Sequence, residues 1–355
     1  MTNVFITGAT GFLGEACLQT LLESSDVDTI NVLIRDSRKV PCTLKNIGRT
    51  ADEVRKVIRL VVGDIKRKGL GISLEDKKRL AKTNEVYHFA ANVSLGRFSD
   101  LDFIEDFYLT NVDGTRNVRD FFLDNGKIER FFHCSSAYVS GVSNETVPEE
   151  WIKSPRNPRN DYEKSKWLAE EVMRQSPPSF PLTIFRPSIL CANDLVHEIP
   201  KQTVYSYAKI LSRAVTKTEK DEQVRIVGEY DSVLNLTRLS DFLTLFKDIR
   251  TSKIREVIYN MAAKNNLKIG EIIDWIGEGL GFNGFRVVGR LENPMSDAEI
   301  YLDRHTGHFK PYLLGSKRLD WSRENSSNFR QNFADVGWMR DHIINYSRSL
   351  KNGRS

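Results

Sequence analysis

Along the first half of the chain, short apolar runs alternate with stretches whose apolar residues recur every three to four positions. Val4-Phe5-Ile6 is an apolar run that passes straight into Thr7 to Gly14, T-G-A-T-G-F-L-G. Behind it, Cys17, Leu18, Leu21 and Leu22 fall on one face of a helix, and a second strand is predicted over 30–34. The cadence continues with strands over 58–62, 85–89, 130–133 and 182–185, separated by helices over 74–80, from Asn111 onward, and over 161–173. Strand, helix, strand in this order predicts an α/β fold, a doubly wound parallel sheet that binds its ligands at the carboxyl ends of the strands.

Past Ser188 the cadence weakens. Val204, Tyr207, Ala208, Ile210 and Leu211 suggest a helix, 225–227 and 257–260 short strands, and 269–276 another helix. The final third mixes aromatics such as Phe309, Tyr312 and Trp321 with polar residues and shows few clear periods, and 351–355 reads as a frayed tail. The expected organisation is a main domain over 1–190 with returning segments over 225–265, and a smaller substrate-binding cap over 191–224 and 266–350. The run 92–109 has little periodicity and is expected to form one wall of a cleft. No internal repeats are present.

Composition narrows the class. Hydrophobic residues are 40% of 355 and charged residues 28%, and no apolar run approaches the ~20 residues that span a bilayer. The first strand begins within a few residues of Met1, so a cytoplasmic protein is expected. Cys17, Cys42, Cys134 and Cys191 have no C-x-x-C spacing, which suggests neither a zinc site nor a disulfide framework. The histidines carry no metal-ligand spacing beyond His305 and His308, and no metal is expected. A net charge of +5 is too mild and dispersed for nucleic acid, though it suits an anionic cofactor.

The turn after the first strand is the strongest chemical signal. Gly8 permits a tight turn, Gly11 lets backbone amides approach a diphosphate, and Gly14 lets the helix pack on the strand, so the helix start becomes an anion site. Arg35, about 20 positions on, occupies the place that discriminates between dinucleotides, where a guanidinium suits a 2'-phosphate and an acid a 2'-hydroxyl. NADP(H) is therefore expected over NAD(H), with Arg38 and Lys39 in support. Asp36 beside Arg35 points the other way, and a strand-end arginine is also compatible with a merely solvated charge. Asp64 is placed for the adenine amino group, and small Ala90 and Ala91 allow close approach at the fourth strand end. The expected cofactor contacts are Gly8, Thr10, Gly11, Phe12, Leu13, Gly14, Arg35, Asp64, Ile65, Ala90, Ala91, Asn111, Lys166, Pro187 and Ser188.

Tyr162 and Lys166 lie four apart and project from one helix face. Such pairs are common on helix surfaces. Here they follow a glycine turn and a strand-terminal Ser136 in the order one dinucleotide site requires. A neighbouring ammonium and an oxidised nicotinamide both favour the phenolate of Tyr162, Lys166 is placed to bond the ribose, and Ser136 to donate to the same substrate oxygen. Asn111 is a weaker candidate acting through a water. The loop with Pro148, Pro155 and Pro158 carries Lys153, Arg156 and Arg159, which read either as a docking patch for an acidic carrier protein or as a solvated basic loop.

These motifs together resemble the extended short-chain dehydrogenase/reductases: T-G-A-T-G-F-L-G, Gly63-Asp64-Ile65, Asn111-Val-Asp-Gly-Thr115, Ser135-Ser136-Ala137 and Tyr162-x-x-x-Lys166. The resemblance implies a Rossmann-type sheet, NAD(P) and a Ser136-Tyr162-Lys166 site. Within that family, Leu33-Ile34-Arg35, Leu70-Gly-Ile-Ser-Leu-Glu-Asp76, His88-x-Ala-Ala-x-Val93, Ser136-Ala-Tyr-Val139, Ser165-Lys-Trp167 and Phe309-Lys-Pro-Tyr-Leu313 are similar to the thioester reductase and fatty acyl-CoA reductase branch. That branch implies reduction of a CoA- or carrier-bound acyl thioester to an aldehyde, in some members on to the alcohol. Reduction of a free ketone or aldehyde, or alcohol oxidation, uses the same triad and stays open. A nucleotide-sugar epimerase shares the pattern, with Arg35 counting against it, and Ala137-Tyr138 stands where a dehydratase needs an acidic pair. A non-catalytic NADP-sensing regulator usually loses the tyrosine or lysine, and both are here.

Overall fold

A computed structural model of the chain describes residues 1–36, 57–95, 101–125, 128–142, 145–155, 157–175, 180–192, 203–219, 221–252, 257–262, 267–321 and 336–353. β1 (Thr2–Thr7) leads into α1 (Phe12–Leu22), β2 (Val27–Ile34) and β3 (Ile58–Val62). Then come α2 (Leu74–Leu80), β4 (Glu85–His88), α3 (Leu101–Tyr108), α4 (Gly114–Asn125), β5 (Arg130–Cys134), α5 (Asp161–Gln175) and β6 (Leu182–Pro187). Local chemistry explains the boundaries. Ser73 caps α2 by accepting the Asp76 amide at 3.0 Å, and β1 and β5 are apolar runs buried along most of their length because helices cover both sheet faces.

The second half contributes β7 (Ile189–Cys191), α6 (Val204–Val215), β8 (Val224–Val227), β9 (Leu236–Arg238) and α7 (Leu239–Thr251). β10 (Val257–Met261), α8 (Ile269–Leu280), β11 (Phe285–Val288), α9 (Asp297–His305) and α10 (Val336–Lys351) follow. The seven-stranded sheet has the order β10-β6-β5-β4-β1-β2-β3, every pairing parallel. This is a Rossmann-type sheet, so all carboxyl ends open on one edge. β8 pairs with β11 and β7 with β9 in two small parallel sheets outside it.

The core divides accordingly. One cluster joins α1, α7 and one sheet face through residues such as Leu18, Val32 and Phe246, and another fills the opposite face with Phe122, Phe131 and Ile184. A third lies away from the sheet, where α6, α8, α9 and α10 pack Leu211, Ile273, Ile276, Leu302 and Ile343 together. Ile269, Ile272, Ile273, Ile276 and Leu280 of α8 are all buried at helical spacing, each stabilising by about 1.5–3 kcal/mol relative to exposure.

Several elements differ from the sequence pattern. The run 92–109 contains α3, which continues through a wide turn at Leu109–Asp113 into α4, so Asn111 lies in that turn rather than at a helix start. The final third holds α9 and α10, two helices that its few clear periods did not announce, and α10 ends at Lys351, where the expected tail begins. Their apolar faces are turned toward other helices of the same half, and the polar residues between them blur the period. β7 and β9 have three residues each, too short to show an alternation.

Candidate active site

A cavity of about 830 Å³ opens at the carboxyl edge of the sheet. β1 delivers the chain to Gly8 at φ 75°, where a Cβ would lie 2.5 Å from the Ala90 amide nitrogen. A Cβ on Gly14 would lie 2.2 Å from the Gly8 carbonyl oxygen, so the packing itself demands both glycines. Gly11 is different. A Cβ on it would meet the Gly8 oxygen at an ordinary 3.4 Å, so its bareness serves the cavity side. Gly11 is also the N-cap of α1 and no side chain caps the helix, leaving its first-turn amides to an anion. This cradle fits the diphosphate of a nicotinamide dinucleotide.

The other expected cofactor contacts largely converge on the same cavity. Thr10, Phe12 and Leu13 of the turn, Arg35, Asp64, Ile65, Ala90, Ala91, Pro187 and Ser188 all line it. The Asp64 carboxylate accepts the Lys66 amide at 3.0 Å, which fixes its orientation. Asp36 lines the cavity beside Arg35, while Arg38 and Lys39 lie outside the described residues.

Ser136, Tyr162 and Lys166 are brought together there. α5 presents Tyr162, Lys166 and Glu170 at four-residue steps to the end of β5. Lys166 donates to the Cys134 carbonyl at 2.8 Å, and the Ser135 hydroxyl donates to Glu170 at 2.6 Å. The Ser136 oxygen accepts the Tyr138 amide at 3.2 Å, and its hydroxyl bonds the Tyr162 hydroxyl. Burial pushes the Tyr162 hydroxyl up, assisted by Cys134, and the facing Ser136 hydroxyl offsets part of this. Burial also lowers the Lys166 ammonium. Burial thus favours the neutral phenol of Tyr162, a proton donor.

Asn111 departs from expectation. It is 2% exposed and is not among the cavity-lining residues. Its side chain accepts the Asn92 amide at 2.7 Å and donates to the Asn92 carbonyl at 3.0 Å and to Ser165 at 2.8 Å; Ser165 in turn donates to the Tyr162 carbonyl at 2.8 Å. Asn111 thus braces the helix start from behind. His88 extends this brace: its Nδ1 meets the Thr7 hydroxyl at 2.8 Å and its Nε2 the Thr115 hydroxyl at 3.1 Å. Because Thr115 donates to the Asn111 carbonyl at 2.7 Å, Nε2 carries the proton, and burial holds the ring neutral with a pKa of about 3.

Two polar clusters that the sequence reading missed hold the loop after Ser136. Arg186 and Glu170 form a fully buried pair, with Nη2 2.6 Å from the carboxylate, and Arg186 also donates to the Pro148 and Glu150 carbonyls. Breaking such a pair typically costs about 3–5 kcal/mol. Arg159, expected at a docking patch or in solvent, does neither: its side chain is 3% exposed, ion-paired with Glu163, and donates to the carbonyls of Pro311 and Gly141. Lys153 is exposed, and Arg156 lies outside the described residues. Buried Lys317 donates to the Ser140 hydroxyl and the Gly141 carbonyl, tying a late segment to this loop. The i, i+4 spacings of Arg159 with Glu163 and of Lys166 with Glu170 were the sequence signals available for these clusters.

Beyond the triad the cavity becomes apolar. Val204 and Tyr207 of α6, Ile269, Ile272 and Ile273 of α8, and Phe309 and Leu313 line this end. Among the described residues no group of three metal-ligating side chains occurs, and no helix is long and apolar enough to cross a membrane.

A family model described as male sterility protein, an NAD-binding family, matches residues 6–237. Human fatty acyl-CoA reductase 2 is 27% identical over 232 residues, covering 61% of this chain and 40% of that protein. The hybrid PKS-NRPS synthetase ucsA of Acremonium is 26% identical over 234 residues, 64% of this chain and 6% of the synthetase. The chain thus matches less than half the length of these relatives. Among solved structures, the terminal R domain of the myxalamid PKS-NRPS pathway superposes with a TM-score of 0.74 at 18% identity, covering 100% of this chain and 92% of that one. UDP-glucuronic acid 4-epimerase of Bacillus cereus superposes with a TM-score of 0.69 at 16% identity, covering 99% of both chains, and these likenesses speak for the fold alone. With a glycine cradle for a nicotinamide dinucleotide and the family match over most of the sheet, the chain belongs to the male sterility protein family and is an extended short-chain dehydrogenase/reductase.

Proposed function

We propose that this protein is an oxidoreductase that uses NADPH to reduce an acyl thioester, carried on coenzyme A or on a carrier protein, to an aldehyde. The observation that carries the reading is the continuity of one cavity from the glycine cradle, past Ser136, Tyr162 and Lys166, into an apolar end suited to an acyl chain. The printed names of the relatives, a fatty acyl-CoA reductase and PKS-NRPS synthetases, agree with it. Arg35 at the cavity supports NADPH through its match to a 2'-phosphate. In this reading residues 191–224 and 266–350 supply the substrate-binding region.

When bound, the nicotinamide supplies hydride to the carbonyl carbon. The chain holds and protonates the oxygen. Ser136 turns its hydroxyl from Tyr162 to donate a hydrogen bond to that oxygen, and Tyr162, kept protonated by burial, acts as the acid. Lys166, fixed by the Cys134 carbonyl, orients the ribose. Collapse of the hemithioacetal then releases thiol and aldehyde.

The test compares consumption of NADPH with acyl-coenzyme A thioesters, acyl-carrier thioesters, and the matching free aldehydes and ketones. Thioester-dependent consumption that forms aldehyde is expected. Turnover of free carbonyls alone would overturn the thioester assignment. Tighter binding of NADH than of NADPH would overturn the cofactor preference.

A further inference from the structure

The apolar end of the cavity contains a phenol that protein chemistry leaves unused. Tyr207 of α6 is 6% exposed, lines the cavity, and packs its ring edge-on against Phe309 with centroids 5.4 Å apart. Val204, Ile269, Ile273 and Leu313, none of which can hydrogen-bond through its side chain, belong to its buried cluster, while Thr203 also lines the cavity. Buried phenols normally find a partner, and although the Tyr138 hydroxyl at the triad end of the cavity has none, two others do. Tyr205, two residues back, bonds the Ala192 amide at 2.9 Å and His342 at 2.6 Å, and Tyr312 accepts from Asn160 at 2.9 Å. The Tyr207 hydroxyl has no such partner among the described residues. Burial alone pushes its pKa up, with neither a hydrogen bond nor a charge contributing.

A phenylalanine would fill this wall at lower cost if the occupant were a plain hydrocarbon, because such an occupant would cover the cavity-facing hydroxyl and strip it of its hydrogen bonds to water. Resting on the acyl thioester reading, we propose that Tyr207 is a specificity-determining residue that hydrogen-bonds an oxygen carried on the acyl chain, so that the preferred substrate is an oxygenated acyl thioester. The surrounding side chains hold the methylene groups on either side of that oxygen. Tyr207 can give or take the bond, so a hydroxyl on the chain satisfies it. It lies in the apolar end, away from Ser136 and Tyr162, and sorts substrates without taking part in proton transfer.

The experiment measures kcat/KM for decanoyl-coenzyme A and for its monohydroxy isomers, with the hydroxyl moved along each carbon beyond the second, in the unmodified protein and in Tyr207→Phe. One isomer, or two adjacent ones, is expected to exceed decanoyl-coenzyme A, and Tyr207→Phe to shrink that ratio by about fivefold to tenfold, the worth of one neutral hydrogen bond. Using the ratio removes any general effect of the substitution on folding or cofactor binding. If no isomer exceeds decanoyl-coenzyme A, or if the preference survives in Tyr207→Phe, the inference is overturned while thioester reduction stands. If no thioester is consumed but free carbonyls are, the underlying reading fails, and this assignment falls with it.

Discussion

The two ends of the cavity are built from different materials. At the sheet edge the wall is backbone and anchored polar groups: glycines that cannot carry a Cβ, uncapped amides of α1, and a ladder in which Lys166 and Glu170 grip consecutive residues at the end of β5. At the far end the wall is mostly apolar side chain, contributed by α6, α8 and residues 309–313, with hydroxyls from Thr203 and the phenols. The first end holds reacting groups in place, as hydride and proton transfer require; the second sets volume and polarity, which suits selection among chains. Chemistry and selectivity are thus separable by substitution.

The largest separation is expected at Tyr162. Tyr162→Phe is predicted to lower kcat by roughly 10²–10⁴ while dinucleotide affinity, measured by titration, stays within about threefold. A proportional loss of cofactor affinity would show that the tyrosine is part of the cradle instead. Next, Gly11→Ala tests whether bareness at the cradle serves a ligand. Its Cβ meets only an ordinary contact, so the melting temperature should hold while dinucleotide binding weakens roughly tenfold to a hundredfold. A fall in melting temperature with unchanged binding would reverse that assignment. At the opposite end, Ile273→Trp should narrow the apolar space, raising KM for long acyl chains by roughly tenfold with little change for short ones and none in cofactor affinity.

How much of this was legible in the sequence follows from the same contrast. Gly8, Gly14, Arg35 and Asp64 could be read because a turn or strand end fixes each from its immediate neighbours, and the Tyr162 and Lys166 spacing is set by one helix. Arg186 with Glu170, Lys317 with Ser140, and Arg159 with the Pro311 carbonyl join residues far apart in the chain, so no local pattern announces them. Arg159 was misread for this reason: a basic residue in a proline-rich loop resembles a solvated charge until its partners are known. Asn111 was placed at the cofactor because its motif travels with the site, yet it works one layer behind. The apolar end was visible only as scattered residues, since Val204, Ile273 and Phe309 meet through tertiary packing.

A smaller effect probes how Lys317 holds the loop. Burial lowers its pKa to about 7, with Arg159 and Arg186 also lowering it and Glu163 opposing them, against about 10.4 in an unfolded chain. Between those values the unfolded state binds a proton that the folded state lacks. Stability relative to Lys317→Met should therefore rise by about 1.4 kcal/mol per pH unit from pH near 7 to near 10, with the full penalty present below pH 7. Parallel stability curves from denaturant unfolding would show that the amine does not titrate in this window.

The central claim, that one cavity joins the dinucleotide cradle to an acyl thioester, is tested most directly with NADPH deuterated at the transferable nicotinamide position. The protein is incubated with an acyl-coenzyme A, and the product is analysed by mass spectrometry. The account predicts one deuterium on the carbonyl carbon of the aldehyde, or two on the corresponding carbon if reduction proceeds to the alcohol, and none with Tyr162→Phe over the same time. Unreduced thioester beside ready labelling of a free ketone or aldehyde would contradict it.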